Sequence, residues 1–160
     1  MQRIAKFHKV SFQQFEKDWK DTFAGSNSVE IQNIYDTLRL PQRATAGSAG
    51  YDFYAPISFT LHPRETIKIP TGIRAEMQEG WVLSLYPRSS LGFKYRLQLN
   101  NTVGIVDSDY FYSDNEGHIM AKLSNDIYGN ADIVIEQGKA FMQGMIFSFC
   151  KTDDDCTDGI

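Results

Sequence analysis

The stretch Asn100–Tyr110, NNTVGIVDSDY, sets two kinds of residue side by side. Val103, Ile105 and Val106 are β-branched and apolar, the composition of a strand packed on a pleated surface. The run then stops at Asp107, Asp109 and Tyr110. Asparagine before it and aspartate after it are the punctuation of a short strand between turns.

The same grammar repeats outward from this stretch. Apolar or alternating runs over 51–61, 65–77, 81–87, 95–101, 102–110, 117–125, 131–138 and 140–149 are separated by Gly, Pro, Asn and Asp. Spacing at about ten residues, with turn chemistry between the runs, predicts an all-β barrel or sandwich. No internal repeat interrupts it.

The N-terminal part reads differently. Phe12, Phe15, Trp19 and Phe23 recur three and four positions apart, which places them on one face of a helix. Ser11 is placed to cap that helix with Gln14 as its capping-box partner, and Val10 to staple against Phe15. AGSNS (24–28) ends it. The aromatic stripe reads either as core or subunit packing, or as a surface that docks a partner. The expected organisation is a helical extension over 1–28 carrying one helix, a β domain over 29–150 and a flexible acidic tail over 151–160.

Composition bounds the function. With 160 residues, 42% hydrophobic and 22% charged, the chain has the make-up of an ordinary one-domain globule. A net charge of −4 argues against a nucleic-acid binder with a broad basic face. It leaves room for a small anionic substrate held by a few arginines, backbone amides and a divalent cation. No run approaches the ~18 apolar residues of a membrane helix. MQRIAKFHKV lacks the apolar core and cleavage site of a signal peptide. Cys150 and Cys156 are too few for a disulfide scaffold, so a reduced, cytoplasmic setting is expected.

Four segments carry polar residues where a packed strand needs none. In PQRATAGSAGYDFYA (41–55), glycines and other small residues let the backbone approach something closely, and Asp52 follows. In YPRSSLGFKY (86–95), a strand runs into Arg88, Ser89 and Ser90, one cation and two hydroxyls that suit a phosphate. The third is the stretch 100–110, and the fourth is QGKAFMQGMIF (137–147), where Gln143 interrupts an apolar run. Each has a plain alternative: RSS as an ordinary turn, Gln143 as a solvent-facing strand residue, Asp107 and Asp109 as turn caps. His8, His62 and His118 lack ligand spacing, and the two cysteines have no partners for zinc. Neither a G-x-S-x-G elbow nor a Walker A loop is present.

The combination is more telling than its parts. ATAGSAGYDFYA (44–55), PTGI (70–73), YPRSSLGF (86–93), NTVGIVDSDY (101–110) and GKAFMQGMIF (138–147) occur in an order and at spacings that resemble the trimeric all-β dUTPase family, over about residues 38 to 150. The resemblance implies a dUTPase-like β-barrel of β-clip or jelly-roll type. It implies hydrolysis of dUTP to dUMP and pyrophosphate by Mg²⁺-assisted attack of water on the α-phosphorus, which keeps uracil out of DNA and supplies dUMP for thymidylate synthesis. By the same matching, Asp107 orients and deprotonates the water and meets the 3′-OH, and Tyr110 lies against the deoxyribose and refuses a 2′-OH. Asn101, Gly104 and Ile105 belong to the hairpin whose backbone reads uracil. Arg88, Ser89, Ser90 and Gln143 fall on phosphate contacts, and Asp52 on the aspartate that supports the metal through water. The sites are expected between subunits of a homotrimer, with no nucleic-acid or membrane partner.

Three departures stand out. Ser90 replaces the commoner glycine, and PRSSLG resembles forms found among phages and Gram-positive bacteria, whose host cytoplasm would then be the setting. Tyr112 replaces the usual glycine two residues after the motif tyrosine, and FYSDNEGHIM (111–120) is longer than in short members. The family's glycine-rich C-terminal arm has no counterpart before Ile160: either the chain is cut short or the site closes otherwise, and low turnover is expected. Three alternatives are a relative of dCTP deaminase, which also uses RSS, a phage-type member that captures a protein partner such as a repressor through 111–130 or the N-terminal helix, and an inactive relative.

Overall fold

The computed structural model of the chain describes residues 1–126 and 130–157. Strand β1 (Ala5–Lys9) leads into helices α1 (Phe12–Thr22) and α2 (Ser28–Thr37). Then come β2 (Tyr51–Tyr54), β3 (Phe59–Leu61), β4 (Thr66–Pro70), β5 (Ile73–Met77) and β6 (Trp81–Pro87). A short helix α3 (Ser89–Tyr95) separates β6 from β7 (Gln98–Leu99) and β8 (Gly104–Asp107), and a 3-10 turn spans Ser108–Tyr112. β9 (Met120–Ser124), β10 (Ile133–Ile135) and β11 (Ala140–Ser148) complete the order.

The strand-rich expectation holds, because alternation does what period two demands. In β8, Gly104 and Val106 are buried while Ile105 and Asp107 face out; in β10, Ile133 and Ile135 are buried and Val134 faces out. The central sheet runs β2-β11-β6-β8, and a second runs β4-β9-β7; β1 pairs with β5 and β3 with β10. Every pairing is antiparallel. Among the described residues these ladders do not close into a barrel.

The expectation of a single helix is corrected: there are three among the described residues. Helix α2 starts at Asn27, whose side chain accepts from the Glu30 amide at 2.9 Å while Glu30 reaches back to the Asn27 amide at 3.2 Å. That capping box was legible as NSVE (27–30). The helix buries only Ile31 fully, so it lacks the wide apolar stripe that marks a helix in sequence, and it is held by packing against α1. Helix α3 buries no residue and carries Gly92 in its middle, which hides it from any pattern reading.

Helix α1 begins where expected, with Ser11 Oγ accepting from the Gln14 amide at 3.2 Å. Its capping box is completed differently. Gln14 turns its side chain to Asp18 at 2.9 Å, and the Ser11 amide donates instead to Glu116 Oε1 at 2.8 Å, a residue far along the chain. Val10 and Phe15 are both fully buried, as a staple requires.

Two apolar clusters result. The larger lies between the sheets around Phe53, Leu83, Leu97, Leu123, Ile133 and Phe141. The smaller, Val10, Phe15, Trp19, Ile31 and Leu38, lies under the helices. Phe15 and Trp19 thus serve as core. Gly72, between β4 and β5, has φ +76°, and a Cβ there would sit 2.3 Å from Leu38 Cδ1. PTGI therefore supplies a turn onto which the helical layer can close.

Candidate active site

At the C-terminal end of β6, three strands bring one polar group together. In the register of β11, Gln143 faces Asp52 on β2 and Tyr86 on β6, and Arg88 follows directly after β6. Arg88 Nε lies 3.4 Å from Asp52 Oδ1, with the Asp52 side chain 14% exposed and that of Arg88 40%. Gln143 Nε2 donates to the Pro87 carbonyl at 3.2 Å. A Cβ on Gly50 would sit 2.5 Å from Gln143 Oε1, so the second glycine of AGSAGYD makes room for that side chain. Ser89 and Ser90 open α3 and are exposed beside Arg88.

The motif residues of β8 form a second group. Gly104 is buried, and a Cβ on it would lie 3.0 Å from Leu85 Cβ, so glycine allows β8 to press against β6. Ile105 faces out, 60% exposed, opposite the buried Ser84. The turn before β8 is tight: the Thr102 amide donates to the Leu99 carbonyl at 2.9 Å and the Val103 amide to Asn101 at 2.7 Å, with Thr102 at φ +67°. A cavity of about 470 Å³ opens beside this turn, lined by Pro87, Gln98, Leu99, Asn100, Thr102 and Ser124. Asp107 occupies the N-cap position of the 3-10 turn, yet its side chain makes no capping bond and it is exposed. The plain reading of Asp107 as a turn cap is therefore not what the side chain does. Asp109 is exposed in the first turn that follows.

The two groups do not meet within one chain. Asp107 pairs with Val82 near the start of β6, and Gly104 with Leu85. Arg88 lies beyond Pro87 at the other end. The five residue steps of strand from Val82 to Pro87 span roughly 17 Å. The register thus holds Asp107 far from Arg88, Gln143 and Asp52.

Around Tyr110, residues 113–118 form a third cluster whose contacts sequence reasoning missed. Tyr110 is half-buried, and its hydroxyl donates to the His118 carbonyl at 2.7 Å while accepting from Asn115 Nδ2 at 2.8 Å. His118 is fully buried. Its Nε2 accepts from the Gly72 amide at 2.8 Å, which requires an unprotonated nitrogen there, so Nδ1 carries the proton and donates to Asp18 Oδ2 at 2.5 Å. Burial holds His118 below its ordinary pKa even though Asp18 and Glu116 pull the other way. Glu116 accepts from the Ser11 amide at 2.8 Å and its hydroxyl at 2.6 Å. Burial would raise the Glu116 carboxyl, but these bonds and the Arg74 guanidinium hold it below its usual value. The only sequence signal for this cluster was that 111–120 departs from the family pattern.

Among the described residues no three His, Cys, Asp or Glu side chains gather at a spacing that could hold a metal ion. Among the same residues no helix is long and apolar enough to cross a membrane. Asp52, one carboxylate beside an arginine and an amide, suits an outer contact to a Mg²⁺ carried mainly by oxygen ligands from elsewhere, since Mg²⁺ keeps its waters and favours substrate phosphates.

Comparison with known proteins covers the stretch that holds these residues. The dUTPase family model matches residues 36–155. A deoxyuridine 5′-triphosphate nucleotidohydrolase of Lactococcus lactis is 41% identical over 119 residues, covering 74% of this chain and 78% of that protein. The crystal structure of dUTPase from Streptococcus mutans superposes with a TM-score of 0.65 at 32% identity, covering 92% of this chain and 98% of that one. A dUTPase from phage phi11 of S. aureus, whose structure describes a structural Mg(II) ion, shares the fold at 23% identity and a TM-score of 0.60, over 76% of this chain and 91% of that one. The chain belongs to the dUTPase family.

Proposed function

We propose that this protein hydrolyses dUTP to dUMP and pyrophosphate, as a homotrimer whose sites are shared between subunits. The observation that carries the shared site is the register of β6. A water activated at Asp107 must reach the α-phosphorus while Arg88, Ser89, Ser90 and Gln143 hold the same polyphosphate, each within about 3 Å of its target. One chain keeps these groups at opposite ends of a strand, so a second chain supplies the phosphate side.

In this reading Asp107 takes a proton from a water that attacks the α-phosphorus, and the bond to the bridging oxygen breaks to release pyrophosphate. Its exposed, uncapped carboxylate leaves it free to do so. Tyr110 covers the deoxyribose, and the backbone from Asn101 through Gly104 to Ile105 reads the uracil edge. Gly104 pressed on Leu85 and the hydrogen-bonded turn before it give that backbone a fixed direction. Cytosine would leave buried groups unpaired, at about 1–3 kcal/mol each. Mg²⁺ would be held by the triphosphate with Asp52 in outer contact, and when bound it neutralises charge on the phosphates. Asp52, beside Arg88 in the structure, would be the residue that holds this outer contact.

The deaminase alternative is not favoured, since the relatives are nucleotidohydrolases. For capture of a protein partner, α1 and 111–118 offer less free surface than their sequences suggest, because Asp18, Glu116 and His118 bind one another's elements. Residues 127–129 of the 111–130 segment, and 158–160 of the acidic tail, lie outside the described residues. The deciding experiment is pyrophosphate release from dUTP, UTP, dTTP and dCTP with Mg²⁺. Turnover of dUTP alone is expected; equal turnover of all four would overturn the proposal.

A further inference from the structure

Tyr110 lies in the 3-10 turn after β8 and is held from outside that turn. Its hydroxyl is the meeting point of two bonds, from Asn115 Nδ2 at 2.8 Å and to the His118 carbonyl at 2.7 Å. Its carbonyl lies 2.6 Å from the Ser113 hydroxyl and accepts from the Ser113 amide at 3.0 Å. The segment that makes these contacts is folded tightly around Asn115. Asn115 Oδ1 lies 2.7 Å from Ser113 Oγ and accepts from the Gly117 amide at 3.1 Å. Gly117 has φ +69°, and a Cβ there would sit 2.6 Å from the Tyr110 carbonyl oxygen and 2.7 Å from Phe111 Cα. Only glycine lets the segment pass so close behind the tyrosine. The segment is anchored in turn on the N-terminal helix, through Glu116 on Ser11 and His118 on Asp18.

We propose that Asn115 is a positioning residue for sugar discrimination: with His118 it fixes the Tyr110 ring from behind, so that the ring resists displacement by a ribose 2′-OH. This rests on the reading of Tyr110 as the residue that covers the deoxyribose. A ring held only by packing could tilt to admit an added hydroxyl; one tied at its far end by two hydrogen bonds must break them to do so. Losing one such bond should relax the dUTP-over-UTP preference by roughly 3- to 10-fold, the size of one net hydrogen bond.

The test compares the ratio of kcat/KM for dUTP and UTP in the full chain and in Asn115→Ala, Tyr110→Phe, the double variant, Asn115→Asp and Tyr110→Ala. Asn115→Ala and Tyr110→Phe are each expected to lower the ratio, and the double variant to lower it no further than Tyr110→Phe alone, because losing the hydroxyl already removes the bond from Asn115. Asn115→Asp keeps the acceptor that Ser113 and Gly117 use but replaces the amide donor with a carboxylate oxygen, so it should lower the ratio as Asn115→Ala does while leaving the loop folded. Additive losses in the double variant, or an unchanged ratio in Asn115→Ala, would overturn the positioning role. Should Asn115→Ala not fold, an unchanged ratio in Tyr110→Phe overturns it equally. An unchanged ratio in Tyr110→Ala would sink the underlying sugar-covering reading, a separate outcome from failure of Asn115 alone.

Discussion

His118 Nδ1 donates to Asp18 Oδ2 at 2.5 Å while Nε2 accepts from the Gly72 amide, so a buried neutral imidazole joins α1, the β4–β5 turn and the segment after Tyr110.

Stability should therefore fall in acid. His118 has a folded pKa held below its unfolded value by burial, so the unfolded chain binds the extra proton first. Its contribution is complete above the unfolded value near pH 6.5 and is lost as pH falls from there toward the folded value. Glu116, also lowered on folding, adds a loss at still lower pH, below the unfolded carboxylate range. Calorimetric Tm is expected to drop from about pH 7 to about pH 5, and His118→Asn should flatten that part of the profile. An equally steep profile in the variant would assign the effect elsewhere.

Asp107→Asn is expected to cut dUTP turnover by about 10²–10⁴-fold, the usual worth of a general base. Because the carboxylate is exposed and caps nothing, Tm should stay within about 1 °C. A large Tm change would show a structural role instead.

Subunit mixing tests the shared site. Asp107→Asn and Arg88→Ala should each be weak alone, yet refolding them together should regain activity, since some sites then join an intact Asp107 to an intact Arg88. No regain on mixing would mean that one chain supplies both.

Two glycines should respond in opposite ways. At Gly50 the obstructing atom is the end of the Gln143 side chain, which can swing aside, so Gly50→Ala should fold normally and raise KM for dUTP. At Gly117 the obstructing atoms are backbone and φ is positive, so Gly117→Ala should destabilise by about 1–3 kcal/mol or more. Urea unfolding of the two variants checks the contrast.

By itself the sequence determined what local chemistry can determine. Alternation of apolar residues placed the inward and outward faces of β8 and β10, the aromatic spacing marked α1, and Ser11 marked its start, because period and capping are read over a few residues. The capping box of α2 was equally legible at Asn27 and Glu30, but a helix that buries one residue fully gives no stripe to confirm it. The motif order singled out Asp52, Arg88, Gln143, Asp107 and Tyr110 as a set. Only the tertiary structure decided which of them are neighbours. Antiparallel register on β6 put Asp107 and Arg88 at opposite ends of one strand, and register depends on pairing partners that no local pattern names. It likewise brought Glu116 to Ser11 and His118 to Asp18, about a hundred residues apart in the chain, where burial turned residues without any motif into the support behind Tyr110.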